Sequence, residues 1–298
     1  MKVAFVFPGQ GSQSVGMMNG YSDLSEIQQT FAEASETLHQ DLWSLVCTGS
    51  ADDLNQTVNT QPLMLTAGVA VYRAWQSLGG SAPTILAGHS LGEYTALVCA
   101  EAVDFKTAVD LVAKRGRYMQ EAVPEDEGAM AAIIGLDDGR IEEICEQAAK
   151  EEVLTPANYN SIGQVVIAGN KAAVERAIAL ANDAGAKLAK ILQVSVPSHS
   201  PLMQSAAKNL AETLKTIEIK TPKFKIINNV DVAIQMTADS IKDALVRQLY
   251  KPVRWVETVL KMREQGITKI VECGPGKVLC GLIKRIDREI ECFNVHDK

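Results

Sequence analysis

The chain has 298 residues, of which 47% are hydrophobic and 22% charged, and its formal net charge is −7. This composition supports a sizeable core and excludes an intrinsically disordered chain. A net acidic chain without a Lys/Arg cluster argues against nucleic acid as the main partner. No apolar run approaches the roughly 18 residues that a membrane-spanning helix needs, and the apolar N-terminal stretch is too short for a signal peptide. We therefore expect a cytoplasmic protein that binds neither membrane nor nucleic acid.

The six cysteines lie far apart in the sequence, and no Cys-x-x-Cys pair occurs. This spacing indicates neither a zinc site nor a disulfide framework. We expect reduced thiols that serve as small core residues, in keeping with the cytoplasmic location. The sequence therefore predicts no metal site.

The first predicted strand leads directly into a loop rich in glycine. Residues 2–7 are almost wholly apolar, which is typical of a strand covered on both faces. The loop that follows reads Pro8-Gly9-Gln10-Gly11-Ser12-Gln13. Its glycine spacing fits neither the dinucleotide-binding pattern nor the phosphate-binding P-loop. A plain tight turn is one interpretation, but we favour a loop whose backbone N–H groups face a ligand, as at the carboxyl ends of strands in α/β sheets.

A Gly-x-Ser-x-Gly motif, Gly88-His89-Ser90-Leu91-Gly92, separates a predicted strand from a predicted helix. Residues 84–87 are apolar, and residues 94–100 are small, apolar and free of Gly and Pro. Glycine is needed at 88 and 92 because a Cβ at either place would collide with the neighbouring strand or helix. Such a turn lifts the Ser90 hydroxyl out of the sheet and directs the first N–H groups of the helix at a developing oxyanion. The motif predicts a nucleophilic serine, the alternative being a merely tight structural turn.

A predicted helix at residues 105–122 carries an arginine on its apolar face. Arg115 shares that face with Leu111, Val112 and Met119. A guanidinium in an apolar setting must meet a partner. One interpretation is an internal salt bridge. The other is a clamp for a substrate carboxylate, which the planar guanidinium fork suits better than lysine would.

The order of elements predicts one domain inserted into another. Between residues 129 and 194 the predicted order is strand, helix, strand, strand, helix, strand, which is the ferredoxin-like arrangement. We therefore place a small domain at residues 128–195 and a discontinuous α/β domain at residues 1–127 and 196–298. The other predicted elements of the large domain are helices at 22–47, 63–78 (behind Gln61-Pro62), 200–216, 239–250 and 255–265, strands at 224–230 and 268–273, and a last helix and strand.

A serine nucleophile needs a base, and histidine is the usual one. His199 lies in a Pro-rich loop that opens a helix where the chain re-enters the large domain, so it is the candidate base. His89 adjoins the serine and is expected to point into the scaffold, whereas His39 and His296 are expected on the surface. No Asp or Glu between Ser90 and His199 stands in an obvious loop after a core strand. A Ser–His dyad, with the imidazole oriented by an amide or a backbone carbonyl, is therefore an alternative to a triad.

Further motifs follow in order along nearly the whole chain. They read Phe-Pro-Gly-Gln-Gly-Ser-Gln (7–13), Gly-His-Ser-Leu-Gly-Glu (88–93), Arg-Gly-Arg-Tyr-Met-Gln (115–120), Pro-Ser-His (197–199), Asn-Asn-Val-Asp-Val (228–232), Arg-Gln-Leu-Tyr-Lys-Pro-Val-Arg-Trp (247–255) and Glu-Cys-Gly-Pro-Gly-Lys-Val-Leu (272–279). As a set they resemble the motifs of the malonyl-CoA:acyl carrier protein transacylases of fatty acid synthesis. The resemblance implies a hydrolase-like α/β core with a parallel sheet and an inserted ferredoxin-like α+β subdomain, with the active site between them.

The resemblance also implies an activity and a role for each site residue. A malonyl group would pass from malonyl-CoA to the phosphopantetheine thiol of acyl carrier protein through a malonyl-serine intermediate, by a monomeric enzyme that has no cofactor of its own. Ser90 would be acylated, and His199 would act as base and then as acid. The backbone N–H groups of Gln10 and Leu91 would form the oxyanion hole, and the Gln248 carbonyl would orient the histidine.

On the substrate side, the resemblance implies that Arg115 holds the malonyl carboxylate and that Asn160 and Gln164 line the pantetheine side. Thr95 departs from the family pattern, where serine is more usual after Gly-Glu-Tyr. Two competing functions are a thioesterase-like serine hydrolase and a non-catalytic module that binds acyl carrier proteins. Arg115 and the missing triad acid favour transfer over hydrolysis. Because acyl carrier proteins are acidic, we also expect a local basic patch, with candidates Lys187, Lys190, Lys277, Lys284 and Arg285.

Overall fold

The computed structural model describes residues 2–194 and 196–295 of the chain. The strands are β1 (Val3–Phe7), β2 (Ile85–Gly88), β3 (Gly128–Ile134), β4 (Leu154–Ser161), β5 (Gln164–Asn170), β6 (Leu188–Ile191), β7 (Lys225–Ile227), β8 (Lys269–Glu272) and β9 (Glu291–Asn294). The helices are α1 (Ser25–Leu38), α2 (Leu42–Thr48), α3 (Ala51–Asn55), α4 (Thr57–Ser77), α5 (Gly92–Cys99), α6 (Phe105–Ala122), α7 (Asp138–Ala149), α8 (Lys171–Asp183), α9 (Gln204–Lys215), α10 (Ala238–Gln248), α11 (Trp255–Glu264) and α12 (Val278–Ile286).

The larger sheet has five parallel strands in the order β7-β2-β1-β8-β9. Side chains that alternate along β1 enter different cores, because successive residues of a strand point to opposite faces. Phe5 and Phe7 pack in the core that includes α1, α4, α5, α6 and α9. Ala4 and Val6 pack in the core on the other face, which includes α11 and α12. The near-continuous apolar character of β1 thus follows from burial on both faces, and the expected α/β core with a parallel sheet is confirmed.

The second sheet is antiparallel, with the order β4-β5-β3-β6. Counted within this unit, the order is the 2-3-1-4 pairing of a β-α-β-β-α-β chain, so the ferredoxin-like expectation is confirmed. Helices α7 and α8 cover one face. The opposite face carries Met130, Ala157, Val166 and Ala168, and is turned toward the larger sheet.

Backbone hydrogen bonds join the two sheets through one short segment. The N–H of Tyr159 in β4 donates to the carbonyl of Val253 over 3.0 Å, and the N–H of Val253 donates to the carbonyl of Ala157 over 2.9 Å. Val253 is fully buried just before α11. This bridge fixes the second sheet against the carboxyl end of the first, where the elbow and the N-terminal loop lie.

The predicted start of α4 and the predicted end of β7 are wrong. Helix α4 begins at Thr57 and contains Pro62, although the helix was expected to begin after this proline. The fixed φ of proline is compatible with a helix, and its missing N–H removes one i→i−4 hydrogen bond. Strand β7 ends at Ile227 rather than Val230, because the main chain of Asn228 turns to bond with Ala233.

The expectation that all cysteines are reduced is also wrong. Cys280 of α12 and Cys292 of β9 form a disulfide, with their Cα atoms 5.3 Å apart. The pairing arises because α12 packs against β9, which a sequence separation of 12 does not reveal. Among the free thiols, Cys99, Cys145 and Cys273 are buried, as expected of small core residues.

Two further expectations concern the surface and the membrane. His39 is exposed at the end of α1, as expected, whereas His296 lies outside the described residues. Across residues 2–194 and 196–295, no helix combines the length and the apolar character needed to cross a membrane.

Candidate active site

The Gly-x-Ser-x-Gly motif forms a sharp turn between β2 and α5. Ser90 adopts a left-handed backbone conformation with φ of 51°. A Cβ on Gly88 would lie 1.8 Å from the carbonyl carbon of Gly92, and a Cβ on Gly92 would lie 2.0 Å from the carbonyl oxygen of Phe7. Helix and strand therefore approach so closely that both positions require glycine, which confirms the steric argument made from the sequence. A strained backbone at a non-glycine residue is a feature of functional sites.

A cavity of about 240 Å³ opens above this turn, between the two sheets. It is lined by the N-terminal loop, the elbow, α6, the second sheet, the His199 loop and α12. The predicted site residues that line it are Gln10, Ser90, Leu91, Arg115, Asn160, Gln164 and His199. Gln248 lies behind them and contacts both Arg115 and His199. The structure thus brings together all eight residues named from the sequence.

The imidazole of His199 is buried and held from one side. Its Nδ1 lies 2.7 Å from the backbone carbonyl oxygen of Gln248. Because a carbonyl only accepts, Nδ1 carries the proton and Nε2 keeps its lone pair. Burial, with a further contribution from the Arg115 charge, lowers the pKa of His199 to about 3. The side chain is therefore a neutral base near neutral pH, and a main-chain carbonyl occupies the place of a triad acid.

The guanidinium of Arg115 is only 1% exposed, yet its partners are neutral. It donates to Gln61 Oε1 over 2.7 Å and to Gln248 Oε1 over 3.1 Å. Its third contact is the hydroxyl of Ser90, at 3.3 Å. Within the described residues its Nε has no hydrogen-bond partner, and no carboxylate oxygen lies within 4.0 Å of the guanidinium, although the buried Glu93 carboxyl is close enough to oppose the lowering of the Arg115 pKa by burial. The salt-bridge interpretation is therefore wrong for the part of the chain that the structure describes.

Gln10 and Leu91 line the cavity from two segments, the N-terminal loop and the elbow, that lie against each other. Gly9 lies against the elbow, since a Cβ there would be 2.4 Å from the His89 carbonyl oxygen and 3.6 Å from the Leu91 nitrogen. The side chain of Gln10 turns away and donates to the Thr57 hydroxyl over 3.2 Å. Among the described residues neither backbone N–H is used in a hydrogen bond. Two open donors beside a serine suit an oxyanion that forms at its acyl group.

The rim of the cavity is formed by side chains from both sheets. His89 contacts the buried scaffold, as expected, and it also lines the cavity, where its Nε2 lies 2.8 Å from Asn160 Oδ1. Its ring rests against Trp255, with centroids 5.5 Å apart. Gln164 also lines the cavity, and its Oε1 accepts a hydrogen bond of 2.6 Å from Arg285 of α12. Both amides predicted to line the pantetheine side are therefore held in place by other side chains.

Ser90 and His199 line the same cavity, but no hydrogen bond links their side chains within the described residues. The hydroxyl contacts Arg115 instead. Catalytic hydrogen bonds are often long or misaligned before substrate binds. The lack of a direct hydrogen bond here is therefore compatible with a nucleophile and base pair.

Sequence reasoning missed three buried polar residues behind the site. Gln61 accepts from Arg115, and Asn229 accepts from the backbone N–H of Ser90 over 2.7 Å. Glu93 accepts from the Gln248 side chain over 2.9 Å, and burial raises the pKa of this carboxyl group to about 7. Glu93 and Asn229 stand in the motifs quoted above, but only the tertiary structure shows what their side chains contact.

Such a cavity can carry out acyl transfer by a serine. The sheet order, the strand-to-helix turn and the inserted antiparallel sheet place the chain in the class of α/β enzymes built around a nucleophile elbow. A family model described as "Acyl transferase domain" matches residues 4–291. The chain therefore belongs to the acyl transferase domain family.

Two similar proteins carry the same name. The chain is 57% identical over 287 residues to the malonyl CoA-acyl carrier protein transacylase of Escherichia coli K12, covering 95% of this chain and 92% of that protein. It is 45% identical over 298 residues to the protein of that name from Bacillus subtilis, covering 99% and 94%.

Solved structures agree with these sequence matches. The malonyl CoA-acyl carrier protein transacylase of Coxiella burnetii is 54% identical, with a TM-score of 0.98 over 99% of this chain and 94% of that one. A type II PKS acyl-carrier protein in complex with its malonyl-transacylase also matches. There the identity is 53%, with a TM-score of 0.98 over 100% of this chain and 97% of that one.

The low pKa of His199 gives a prediction that needs no substrate. A group whose pKa is lowered to about 3 stays neutral as the pH falls from 8 to 5. The imidazole C–H signal of His199 in NMR spectra, assigned by its loss in His199→Gln, should therefore not titrate across this range. Circular dichroism at each pH checks that the fold persists. A titration of that signal with a midpoint near 6.5, the ordinary value of histidine, would contradict the account.

Proposed function

We propose that this chain transfers a malonyl group from malonyl-CoA to the phosphopantetheine thiol of an acyl carrier protein, through a malonyl ester on Ser90. The observation that carries the proposal is the buried guanidinium of Arg115, whose partners are neutral, in the same cavity as the serine. Malonyl differs from acetyl by a terminal carboxylate, which is the group that such a cation accepts. The names of the similar proteins support the same substrate class.

In the first half-reaction, His199 Nε2 takes the hydroxyl proton of Ser90 while Oγ attacks the thioester carbonyl carbon. The carbonyl oxygen becomes an oxyanion, which accepts from the backbone N–H groups of Gln10 and Leu91. When the C–S bond breaks, the proton on His199 passes to the sulfur of coenzyme A. Ser90 is left as a malonyl ester, and the imidazole is neutral again.

The second half-reaction reverses these steps with another thiol. The phosphopantetheine thiol of the carrier protein gives its proton to His199 and attacks the ester carbonyl. The C–O bond to Ser90 then breaks, and the serine oxygen recovers the proton from the imidazole. Acyl transfer of this kind needs no metal or bound cofactor, because the histidine moves the proton and the backbone stabilises the oxyanion.

Arg115 has a second role in this proposal. Before substrate binds, its Nη2 contacts the Ser90 hydroxyl and the Gln248 side chain. A malonyl carboxylate is a stronger partner for a guanidinium than a neutral hydroxyl is. We expect the carboxylate to displace the hydroxyl, which then turns about its Cα–Cβ bond toward His199. Binding of the right acyl group would thereby prepare the nucleophile.

The thioester arm would extend from the serine toward the rim, where the amides of Asn160 and Gln164 are available to its peptide-like groups. One chain supplies every residue of this site, so we propose that the protein acts as a monomer.

On the rim, α12 carries the exposed side chains of Lys284 and Arg285, and Arg285 contacts Gln164. We propose that this basic edge receives the acidic carrier protein, because two net-negative partners need local complementarity.

Mass spectrometry of the intact protein tests the proposed intermediate. Incubation with malonyl-CoA alone should add one malonyl mass, which peptide mapping should locate on Ser90 and which Ser90→Ala should lack. Addition of carrier protein that bears phosphopantetheine should then remove that mass from the enzyme. Continuous release of malonate without the carrier would indicate a hydrolase, and absence of any added mass would indicate a binding module. Mass on Ser198, Ser200 or a cysteine would contradict the role of Ser90.

The basic edge is tested by reversing one charge at a time. Lys284→Glu should raise the KM for the carrier protein by up to several-fold, because an exposed ion pair contributes about 0.2–1 kcal/mol. Acylation by malonyl-CoA should be unchanged. Lys208→Glu is the matched control, since Lys208 is an exposed lysine of α9, which does not line the cavity. Equal KM values for the two variants, at low and at moderate salt, would remove this surface from the proposal.

A further inference from the structure

The strained serine turn lacks the main-chain partner that its sheet would normally provide. Strand β7 pairs with β2 in parallel register as far as Ile227 opposite Ala87. In a parallel ladder, the N–H of a residue donates to the carbonyl of the residue before its opposite partner. Its own carbonyl accepts from the N–H of the residue after that partner. Two residues further, this register puts Asn229 opposite His89. The main chain of Asn229 would then bind the Gly88 carbonyl and the Ser90 N–H, but β7 has already ended.

The side chain of Asn229 makes these two contacts in place of its backbone. Its Nδ2 donates to the Gly88 carbonyl over 2.7 Å, and its Oδ1 accepts from the Ser90 N–H over 2.7 Å. One donor and one acceptor on a short planar group imitate a peptide of the missing strand. Aspartate lacks the donor, and the side chain of glutamine is one methylene longer.

The backbone of Asn229 is free for other partners as a result. Its N–H donates to Glu93 Oε2 over 3.0 Å, and its carbonyl accepts from the N–H of Arg254 over 3.2 Å. The same Glu93 oxygen accepts from the side chain of Gln248, whose carbonyl holds His199. Asn229, which holds Ser90, and Gln248, which holds His199, therefore both donate to the buried carboxyl group of Glu93.

We propose that Asn229 is a positioning residue for the nucleophile: its side-chain amide extends the sheet past the end of β7 and holds Ser90 in its left-handed conformation. The inference rests on the proposed role of Ser90. Asn229 is fully buried and is not among the residues that line the cavity, so its effect passes through the backbone of Ser90. A nucleophile displaced by about 1 Å loses on the order of 10²-fold in rate.

The neighbouring Asn228 provides a matched control. It is also buried, and it also makes two hydrogen bonds to main chain, to the Ala233 carbonyl over 3.2 Å and from the Asp231 N–H over 2.7 Å. Neither contact involves the serine turn. Asn228→Ala removes two side-chain hydrogen bonds, whereas Asn229→Ala removes the two to the serine turn and a longer one of 3.5 Å from Gln248 Nε2. Only the second variant removes support from Ser90.

The experiment compares these variants with the parent protein by two readouts. One is the steady-state kinetics of malonyl transfer, and the other is the rate at which a serine-directed fluorophosphonate labels Ser90. Asn229→Ala should lower kcat and the labelling rate by about 10²-fold with little change in the KM for malonyl-CoA. Asn228→Ala should lower the melting temperature to a similar extent but keep both rates within about threefold.

A second variant keeps the test decisive if Asn229→Ala does not fold. Asn229→Asp preserves shape and the acceptor for the Ser90 N–H but places an oxygen against the Gly88 carbonyl, so we expect a loss of about tenfold or more. Equal losses in the Asn228 and Asn229 variants, or a folded Asn229→Asp with the parent's labelling rate, would overturn the inference. Failure of the reagent to label Ser90 in the parent would instead count against the proposed function.

Discussion

The arrangement of this site depends on one buried positive charge. Removing a guanidinium from water costs several kcal/mol unless it is paired, and neutral amide acceptors offset only part of that cost. Arg115 is held by the side-chain oxygens of Gln61 and Gln248, while its Nε finds no hydrogen-bond partner in the part of the chain that the structure describes. A site that keeps a desolvated cation without an ion pair favours the binding of an anion. The proposed substrate carries that anion as a carboxylate.

The same charge adds to the effect of burial on His199. Burial is the larger cause that keeps the imidazole neutral, and the nearby Arg115 cation acts in the same direction because it disfavours a second cation. A triad carboxylate would raise the pKa of the imidazole and work against this effect. The Gln248 carbonyl orients the ring over 2.7 Å without adding a full negative charge. The nearby carboxyl group of Glu93 contacts the Gln248 side chain rather than the histidine, which separates the acid from the base.

Packing, hydrogen bonds and a disulfide fix the segments that surround the cavity. The glycines at 88 and 92 let strand and helix pack in direct contact beneath the serine, and the backbone bridge at Val253 fixes the second sheet above it. The disulfide between α12 and β9 ties the rim helix to the edge strand. The segments that line the cavity are therefore fixed in position by packing and hydrogen bonds.

Local pattern was enough to predict much of this structure. The elbow, the burial of β1 on both faces and the ferredoxin-like order depend on neighbours in sequence, so short motifs and the pattern of apolar residues revealed them. Ser90, His199 and Arg115 could be named because few residues of the right type stood in the right kind of element.

What the sequence did not reveal depends on contacts between distant segments. Asn229 binds the serine turn 139 residues earlier, and Gln61 meets Arg115 across 54 residues. The disulfide pairs two cysteines that no motif links. His89 was assigned to the scaffold because of its neighbours in sequence, but the cavity wall that it contacts at Asn160 comes from the inserted sheet. No local rule predicts these partners, since each depends on how two elements pack.

The most direct test of this account is the ratio of kcat/KM for malonyl-CoA to that for acetyl-CoA. A charge-assisted hydrogen bond contributes about 1.5–3 kcal/mol, which corresponds to a ratio of roughly 10- to 150-fold. Arg115→Ala should lose this preference while keeping or gaining acetyl transfer, and Arg115→Lys should restore it only in part. Arg117→Ala, an exposed neighbour on the same helix, should leave the ratio unchanged. Equal losses on both substrates in Arg115→Ala would contradict the account and make this arginine a support of the fold.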